Sequence, residues 1–416
     1  MGVLTWLSHP TELVAMIRYA VTVPSASDTA DKTNDPGLQR CYEFLDMTSR
    51  SFAAVIKSLS PTLRDVICLY YLALRGLDTI EDDMSLPLDY KVTLLRSFHS
   101  FLTQPGWCFT ESGENEKDAV LLVEYDVVIE QFMKLDPKFQ DIIVDSAKRM
   151  GNGMADFSVK RVVSRDDYEL YCHYVAGLVG EGLSALFAAS GLEDPDLGKE
   201  TELSNSLGLF LQKTNIIRDY LEDLQDTRQF WPKEIWGLYA KELGDLTEPG
   251  NEKQALACLN HMCMDALSHV PDVFAYLEKL RDPSVFRFVA IPQVMAIATI
   301  TTVFSNYKVF QQNVKIRKGE AVKLIMRANN VNAVRGIFIE YLRQFHAKNV
   351  STDPNYTKIN VLIGQCLARV LPLYQPESSC LATGTMIGTG LALLGIIYYQ
   401  WTTLASSDVS SHHTGL

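Results

Sequence analysis

Two stretches decide how this chain is read: Tyr70-Tyr-Leu-Ala-Leu-Arg75-Gly-Leu-Asp78-Thr-Ile-Glu81-Asp82-Asp83 and Gln212-Lys-Thr-Asn215-Ile-Ile-Arg218-Asp219-Tyr-Leu-Glu222-Asp223. In the first, Tyr71, Arg75, Asp78 and Asp82 are spaced by four, three and four positions. In the second, Gln212, Asn215, Asp219 and Asp223 are spaced by three, four and four. Either spacing puts four side chains on one stripe of an α-helix. Like charges four apart weaken an isolated helix by ~0.2–0.5 kcal/mol, so each aspartate pair asks for a compensating charge. A hard divalent cation supplies it, since Mg²⁺ takes oxygen ligands, keeps several waters and bridges one or two carboxylates to substrate phosphates. A solvated surface face is the ordinary reading of one acidic cluster. Two matched clusters, each following an apolar helical run, favour two walls of a diphosphate site.

Around these stretches, from about Leu38 to His346, apolar residues recur at three and four positions and alternating runs are scarce. Punctuation at Ser60-Pro61, Asp136-Pro137, Asp194-Pro195, Pro249-Gly250 and Asp282-Pro283 suits helix starts and interhelical turns. No repeat at a fixed period is present, so the expectation is one all-α domain of about 310 residues rather than two folds. The acidic balance, −12 over 416 residues, excludes general nucleic-acid binding, which needs a basic footprint. The eight cysteines lack CxxC or zinc-like spacing and read as reduced thiols. Residues 21–37 read as a loop, and the segment before them carries His9, Glu12 and Arg18, unlike a signal peptide.

The far end differs. No charge falls between Glu377 and Asp408, and Leu381 to Gln400 matches the ~20 residues a spanning helix needs. Tyr398, Tyr399 and Trp401 cluster at one end like interfacial aromatics, and Gly384 and Gly388 give a GxxxG spacing. A flexible tail or a buried terminal helix is the alternative; a C-terminal anchor is the favoured reading. The expected organisation is a segment and loop at 1–37, a catalytic domain at 38–346, a linker or terminal-helix region at 347–380, an anchor at 381–404 and a polar tail at 405–416.

Seven motifs in order extend the reading: TSRSF (Thr48–Phe52), LRGLDTIEDD (Leu74–Asp83), RMGNGMADF (Arg149–Phe157), YCHYVAGLVG (Tyr171–Gly180), FLQKTNIIRDYLED (Phe210–Asp223), FWPKEIW (Phe230–Trp236) and VKIRKGEA (Val314–Ala321). In these the chain resembles the eukaryotic squalene synthase (farnesyl-diphosphate farnesyltransferase) family. The resemblance implies a single helical isoprenoid-synthase domain with a central cavity. It implies Mg²⁺-dependent head-to-head condensation of two farnesyl diphosphates to presqualene diphosphate, then NADPH-dependent reductive rearrangement to squalene. By the same resemblance Asp78, Asp82, Asp219 and Asp223 hold metal, with Asn215 and Gln212 on the same face. Ser49, Arg50, Ser51, Tyr71, Arg75, Arg218 and Arg228 would meet the substrate, although helix capping is the alternative for the serines and an Asp salt bridge for Arg218. Arginine's planar fork suits phosphate oxygens.

The resemblance gives Tyr171 the acid/base role in the first half-reaction, where the residues alone suggest a core aromatic. Phe52 and Phe288 match positions that line the cavity, where aromatic faces stabilise carbocations. Glu81 and Glu222 rotate off the stripe and read as supports, as do His173 and Tyr174, while Asp83 reads as solvated. No GxGxxG fingerprint occurs. Instead, Lys308 to Arg327 carries six basic residues against one acidic, and the resemblance assigns Lys315 and Arg317 to NADPH phosphates. Anionic lipid is the alternative partner of that strip. Expected setting: a monomer anchored in the endoplasmic reticulum membrane, its catalytic domain cytosolic, with no nucleic-acid partner. The rivals are a non-reducing phytoene- or dehydrosqualene-type synthase, an enzyme of one half-reaction, and a catalytically dead tethered scaffold.

Overall fold

The computed structural model describes residues 10–22, 34–114 and 116–376. Among them every regular element is a helix, as the apolar spacing predicts. The helices that build the core and the site are α1 (Pro10–Thr22), α2 (Pro36–Thr48), α3 (Arg50–Lys57), α4 (Pro61–Asp82), α5 (Leu88–Phe101), α6 (Pro137–Phe157), α7 (Arg165–Cys172), α8 (Leu178–Ser190), α9 (Thr201–Arg218), α10 (Tyr220–Gln225), α11 (Pro283–Val303), α12 (Lys318–Arg327), α13 (Val331–Lys348) and α14 (Tyr356–Val370). Proline at the first helical turn of α2, α4, α6 and α11 turns each Pro in the sequence into a start signal, because the missing N–H is not needed there.

α4 is the axis of the fold. It packs against α2, α5, α6 and α8, and its buried residues (Leu63, Cys68, Leu69, Leu72, Leu77 and Ile80 among them) lie around most of the helix. Each such large apolar side chain contributes ~1.5–3 kcal/mol on leaving water. α9 packs on α8 and α11, so the two acidic ends are carried by core helices and cannot drift with a loop. Between α7 and α8 the chain makes one π-turn, His173–Gly177, a feature that often marks functional sites. Gly153 on α6 admits it: a Cβ there would sit 2.5 Å or less from Tyr174.

The segment before the expected loop forms α1 at Pro10–Thr22, which packs on α12. In the region 347–380, read as a linker or terminal helix, α14 packs on α13 and buries Ile359, Ile363, Cys366 and Val370. The chain divides into two compact units, Met1–Leu373 and Tyr374–Leu416. The expected anchor at 381–404, its tail and Cys380 lie outside the described residues. Two described helical stretches, 165–190 and 283–303, are long and apolar enough to cross a membrane, but 72% of the second is buried inside the protein.

Candidate active site

α4 delivers Tyr71, Arg75, Asp78 and Asp82 along its last turns. The second stripe is not one continuous helix. α9 ends at Arg218, Asp219 sits at the junction with φ −92° and ψ 13°, and α10 follows. Backbone bonds from Asp219 N to Asn215 O and from Asp223 N to Asp219 O, both 2.9 Å, carry the helical spacing across the break. Asn215, Asp219 and Asp223 therefore keep their common side.

Arg228 shows that the two faces oppose each other. Its Nη1 donates to Asp82 Oδ1 at 2.8 Å, while Nη2 lies 3.3 Å from Asp223 Oδ1 and from Asp226 Oδ2. One guanidinium thus spans the cleft between the stripes. The turn that aims it is made by Thr227, a β-branched residue held at φ 58°; such left-handed backbone is costly and concentrates at functional sites. Arg218 forks onto Asp219 at 2.7 and 2.5 Å, the salt bridge that was its alternative. Arg75 donates to the Tyr71 hydroxyl at 3.1 and 3.2 Å and lies 3.8 Å from Asp118.

The carboxylates are charged at a cost. Burial pushes Asp78 up to about 7; Arg75 opposes the shift, and Asp82 and Asp118 add to it. Burial likewise pushes Asp223 up to about 7, opposed by Arg228 and increased by Asp219, Asp226 and Asp82. Glu81 is pushed up to about 8, first by burial and then by Asp82 and Asp78. This is a site short of positive charge. Among the described residues no three His, Cys, Asp or Glu side chains surround one metal position. Each face offers two aspartates, a donor set that suits Mg²⁺ completed by water and substrate oxygens.

Beside the acidic cleft lie two apolar chambers. One, about 170 Å³, is lined by Tyr71, Leu74, Arg75, Asp78, Phe52 and Phe288. The other, about 220 Å³, is lined by Phe187, Leu211, Gln212, Asn215, Phe52 and Phe288. The first chamber reaches its stripe at Asp78, the second reaches the other stripe at the amides of Gln212 and Asn215, and both share Phe52 and Phe288. Phe288 is buried and meets Phe187 edge-on at 5.9 Å, whereas Phe52 is 40% exposed and stacks on Tyr71 at 6.5 Å. Pro292 inside α11 also lines the second chamber; it removes a helical N–H and loosens the wall there.

Tyr171 occupies a third space of the site. Its ring stacks on Phe230 at 4.7 Å and 14° and meets Phe157 edge-on at 5.3 Å. Burial, followed by Glu81, Asp82 and Asp223 among other groups, raises its phenol well above the usual range, so it is neutral in the metal-free protein. Glu81, Phe157, Arg228 and Phe230 line an adjoining cavity of about 530 Å³. A larger cavity of about 630 Å³ between Tyr239, Asn260, Ser305 and Lys348 shares no lining residue with these and has no paired acidic face.

Several expectations change on this geometry. Asp83 is 4% exposed rather than solvated, because its carboxylate accepts from Ser85 N, Ser85 Oγ and Gly113 N and closes the turn after α4. Ser49 caps α3, accepting from Phe52 N at 3.3 Å, and so holds Phe52 at the chamber mouth. The side chains of Arg50 and Ser51 lie outside the described ones. His173 Nδ1 donates to Asn205 Oδ1 at 2.8 Å, and Glu181 pairs with Arg149 at 2.8 Å, both as supports of the π-turn. Lys315 is exposed, while Arg317 is engaged by Glu12 at 2.6 Å. Phe157, Phe230, Asp118 and Asp226 join the site without having been singled out for it, and Glu81, read as a support, lines the adjoining cavity. Phe157 and Phe230 stood within quoted motifs; Asp118 comes from a loop and carries no sequence signal.

Residues 45–320 match the squalene/phytoene synthase family. A squalene synthase of Rattus norvegicus is 48% identical over 371 residues, covering 88% of either chain. One of Schizosaccharomyces pombe is 50% identical over 364 residues, covering 85% of this chain and 78% of the relative. A solved complex of TcSQS with a ligand superposes with a TM-score of 0.80 at 43% identity, over 82% of this chain and 99% of that one. A dehydrosqualene synthase structure, 19% identical with a TM-score of 0.54, shares the fold.

Proposed function

The chain belongs to the squalene/phytoene synthase family, and we propose that its opposed acidic stripes and paired apolar chambers carry out squalene synthesis from two farnesyl diphosphates. The protein is a farnesyl-diphosphate farnesyltransferase of squalene synthase type. The observation that supports the site assignment is the shared wall: one chamber borders Asp78, the other borders Gln212 and Asn215 on the side of the second stripe, and Phe52 and Phe288 stand in both. Two prenyl chains lying in them would bring their reacting carbons together at those rings.

Asp78 and Asp82 on one side, and Asp219 and Asp223 on the other, would hold Mg²⁺, with Asn215 and Gln212 beside them. Bound there, Mg²⁺ supplies Lewis-acid stabilisation of a departing diphosphate. Arg75, Arg218 and Arg228 exchange their carboxylate partners for phosphate oxygens when substrate arrives, with Tyr71 holding Arg75 in place. Ser49, Arg50 and Ser51 complete the anion cradle from the start of α3. Tyr171 takes the proton lost on cyclopropane closure. Burial, reinforced by Glu81, Asp82 and Asp223, holds its phenol neutral, so it accepts that proton while passing its own to an oxygen of the released diphosphate. Phe52 and Phe288 then flank the cation formed from presqualene diphosphate and keep water from it.

Lys315 and Arg317 would meet the phosphates of NADPH, the hydride donor for the final capture. The apolar segment 381–404 would anchor the chain in the endoplasmic reticulum membrane with the helical domain cytosolic, in keeping with a hydrocarbon product. We expect a monomer. Incubation with farnesyl diphosphate and Mg²⁺ tests the assignment: presqualene diphosphate accumulates without NADPH, and squalene forms with it. Dehydrosqualene as sole product in the presence of NADPH would identify a non-reducing synthase instead.

A further inference from the structure

Resting on the assignment of Lys315 and Arg317 to the nucleotide phosphates, we infer that α1 is a displaceable cover on that site, its Glu12 carboxylate standing where a phosphate goes. Glu12 Oε1 accepts from Arg317 Nη2 at 2.6 Å and from Nε at 3.0 Å, across 305 residues of sequence. Arg317 Nη2 also lies 3.0 Å from Glu320, whose other oxygen accepts from Tyr341 at 2.6 Å. The Nε/Nη2 edge of the guanidinium is thus taken by carboxylates.

The surroundings are those of an anion site. Arg317 is the N-cap of α12, and no side chain caps that helix. Glu12 instead lies against its first turn: a Cβ at Gly319 would stand 2.7 Å from Glu12 Cβ and 2.8 Å from Glu12 Oε2. Only glycine allows that approach. A carboxylate at a helix start beside an arginine fork uses the same donors and the same dipole as a phosphate would. A phosphate forked on the Nε/Nη2 edge of Arg317 with Glu12 still in place would face two carboxylates at hydrogen-bond distance, so one anion must leave. Glu320 is tied to Tyr341 and sits on α12 itself. Glu12 is on α1, a separate helix that packs on α12, so it can leave with α1 while α12 stays in place. Removing it leaves Glu320 as the described carboxylate paired with Arg317.

The full-length chain, titrated with NADPH in the absence of farnesyl diphosphate and followed by reduced-nicotinamide fluorescence, tests this. Glu12→Gln is expected to bind NADPH about three- to tenfold more tightly, because the competent state no longer competes with the ion pair. Arg317→Gln is expected to bind more weakly, and NADPH is expected to speed amide exchange within residues 10–22 of the wild-type chain. If Arg317→Gln weakens binding but Glu12→Gln does not tighten it, the nucleotide assignment stands and the cover is refuted. Slower exchange in α1 on NADPH binding would make the helix a fixed wall of the site and refute it too. Unchanged affinity in Arg317→Gln would overturn the assignment and the inference together.

Discussion

Asp78→Asn is expected to lower squalene formation by about 10³-fold, and Asp219→Asn to do the same from the opposite stripe, because each removes a charged ligand where a diphosphate must depart. Asparagine keeps the shape and leaves the helix intact, so the loss is electrostatic. A distinguishing accompaniment concerns stability. The folded pKa of Asp78, about 7, lies above its unfolded value of 3.8. Folding therefore takes up a proton between those values, and stability is lost as pH rises toward the folded pKa. Metal-free Asp78→Asn escapes that loss. Its melting temperature should exceed that of the wild type at about pH 8 and approach it near about pH 4. A scaffold without metal chemistry would show the stability change with no activity to lose.

Tyr171→Phe is expected to reduce presqualene diphosphate formation by about 10³-fold with little change in farnesyl diphosphate binding. The ring would still stack on Phe230 and meet Phe157, so what disappears is one hydroxyl in a place surrounded by Glu81, Asp82 and Asp223. A purely structural Tyr171 predicts the reverse pattern, with turnover kept and the melting temperature lowered by a lost polar contact. Single-turnover measurement of the first half-reaction separates the two.

Much of the fold was legible because helical periodicity is local. The spacing of Tyr71, Arg75, Asp78 and Asp82 survives directly on α4. The second stripe was legible in outcome though not in detail, since the break at Asp219 leaves the relevant backbone bonds in register. What stayed hidden depends on turns and on distant pairs. Arg228 spans the cleft because Thr227 adopts a left-handed conformation, which nothing in a threonine announces. Asp83 looks like the third charge of an exposed run, yet Ser85 and Gly113 draw it inward. Arg317 reads as a free cation in a basic strip until Glu12, more than three hundred positions earlier, is folded onto it. Net charge misled in the same way: a chain of −12 concentrates part of its acidity where cations are wanted.

The central claim is that both aspartate stripes together hold divalent metal against diphosphate. It is tested most directly by a crystal structure with Mn²⁺ and the unreactive thiodiphosphate analogue of farnesyl diphosphate, read by anomalous scattering. Metal peaks are expected against Asp78 and Asp82 and against Asp219 and Asp223, with Arg228 turned from Asp82 toward the diphosphate and prenyl chains in the chambers bordered by Phe52 and Phe288. Metal bound elsewhere, or an analogue bound while Arg228 still bridges Asp82 and Asp223, would contradict it.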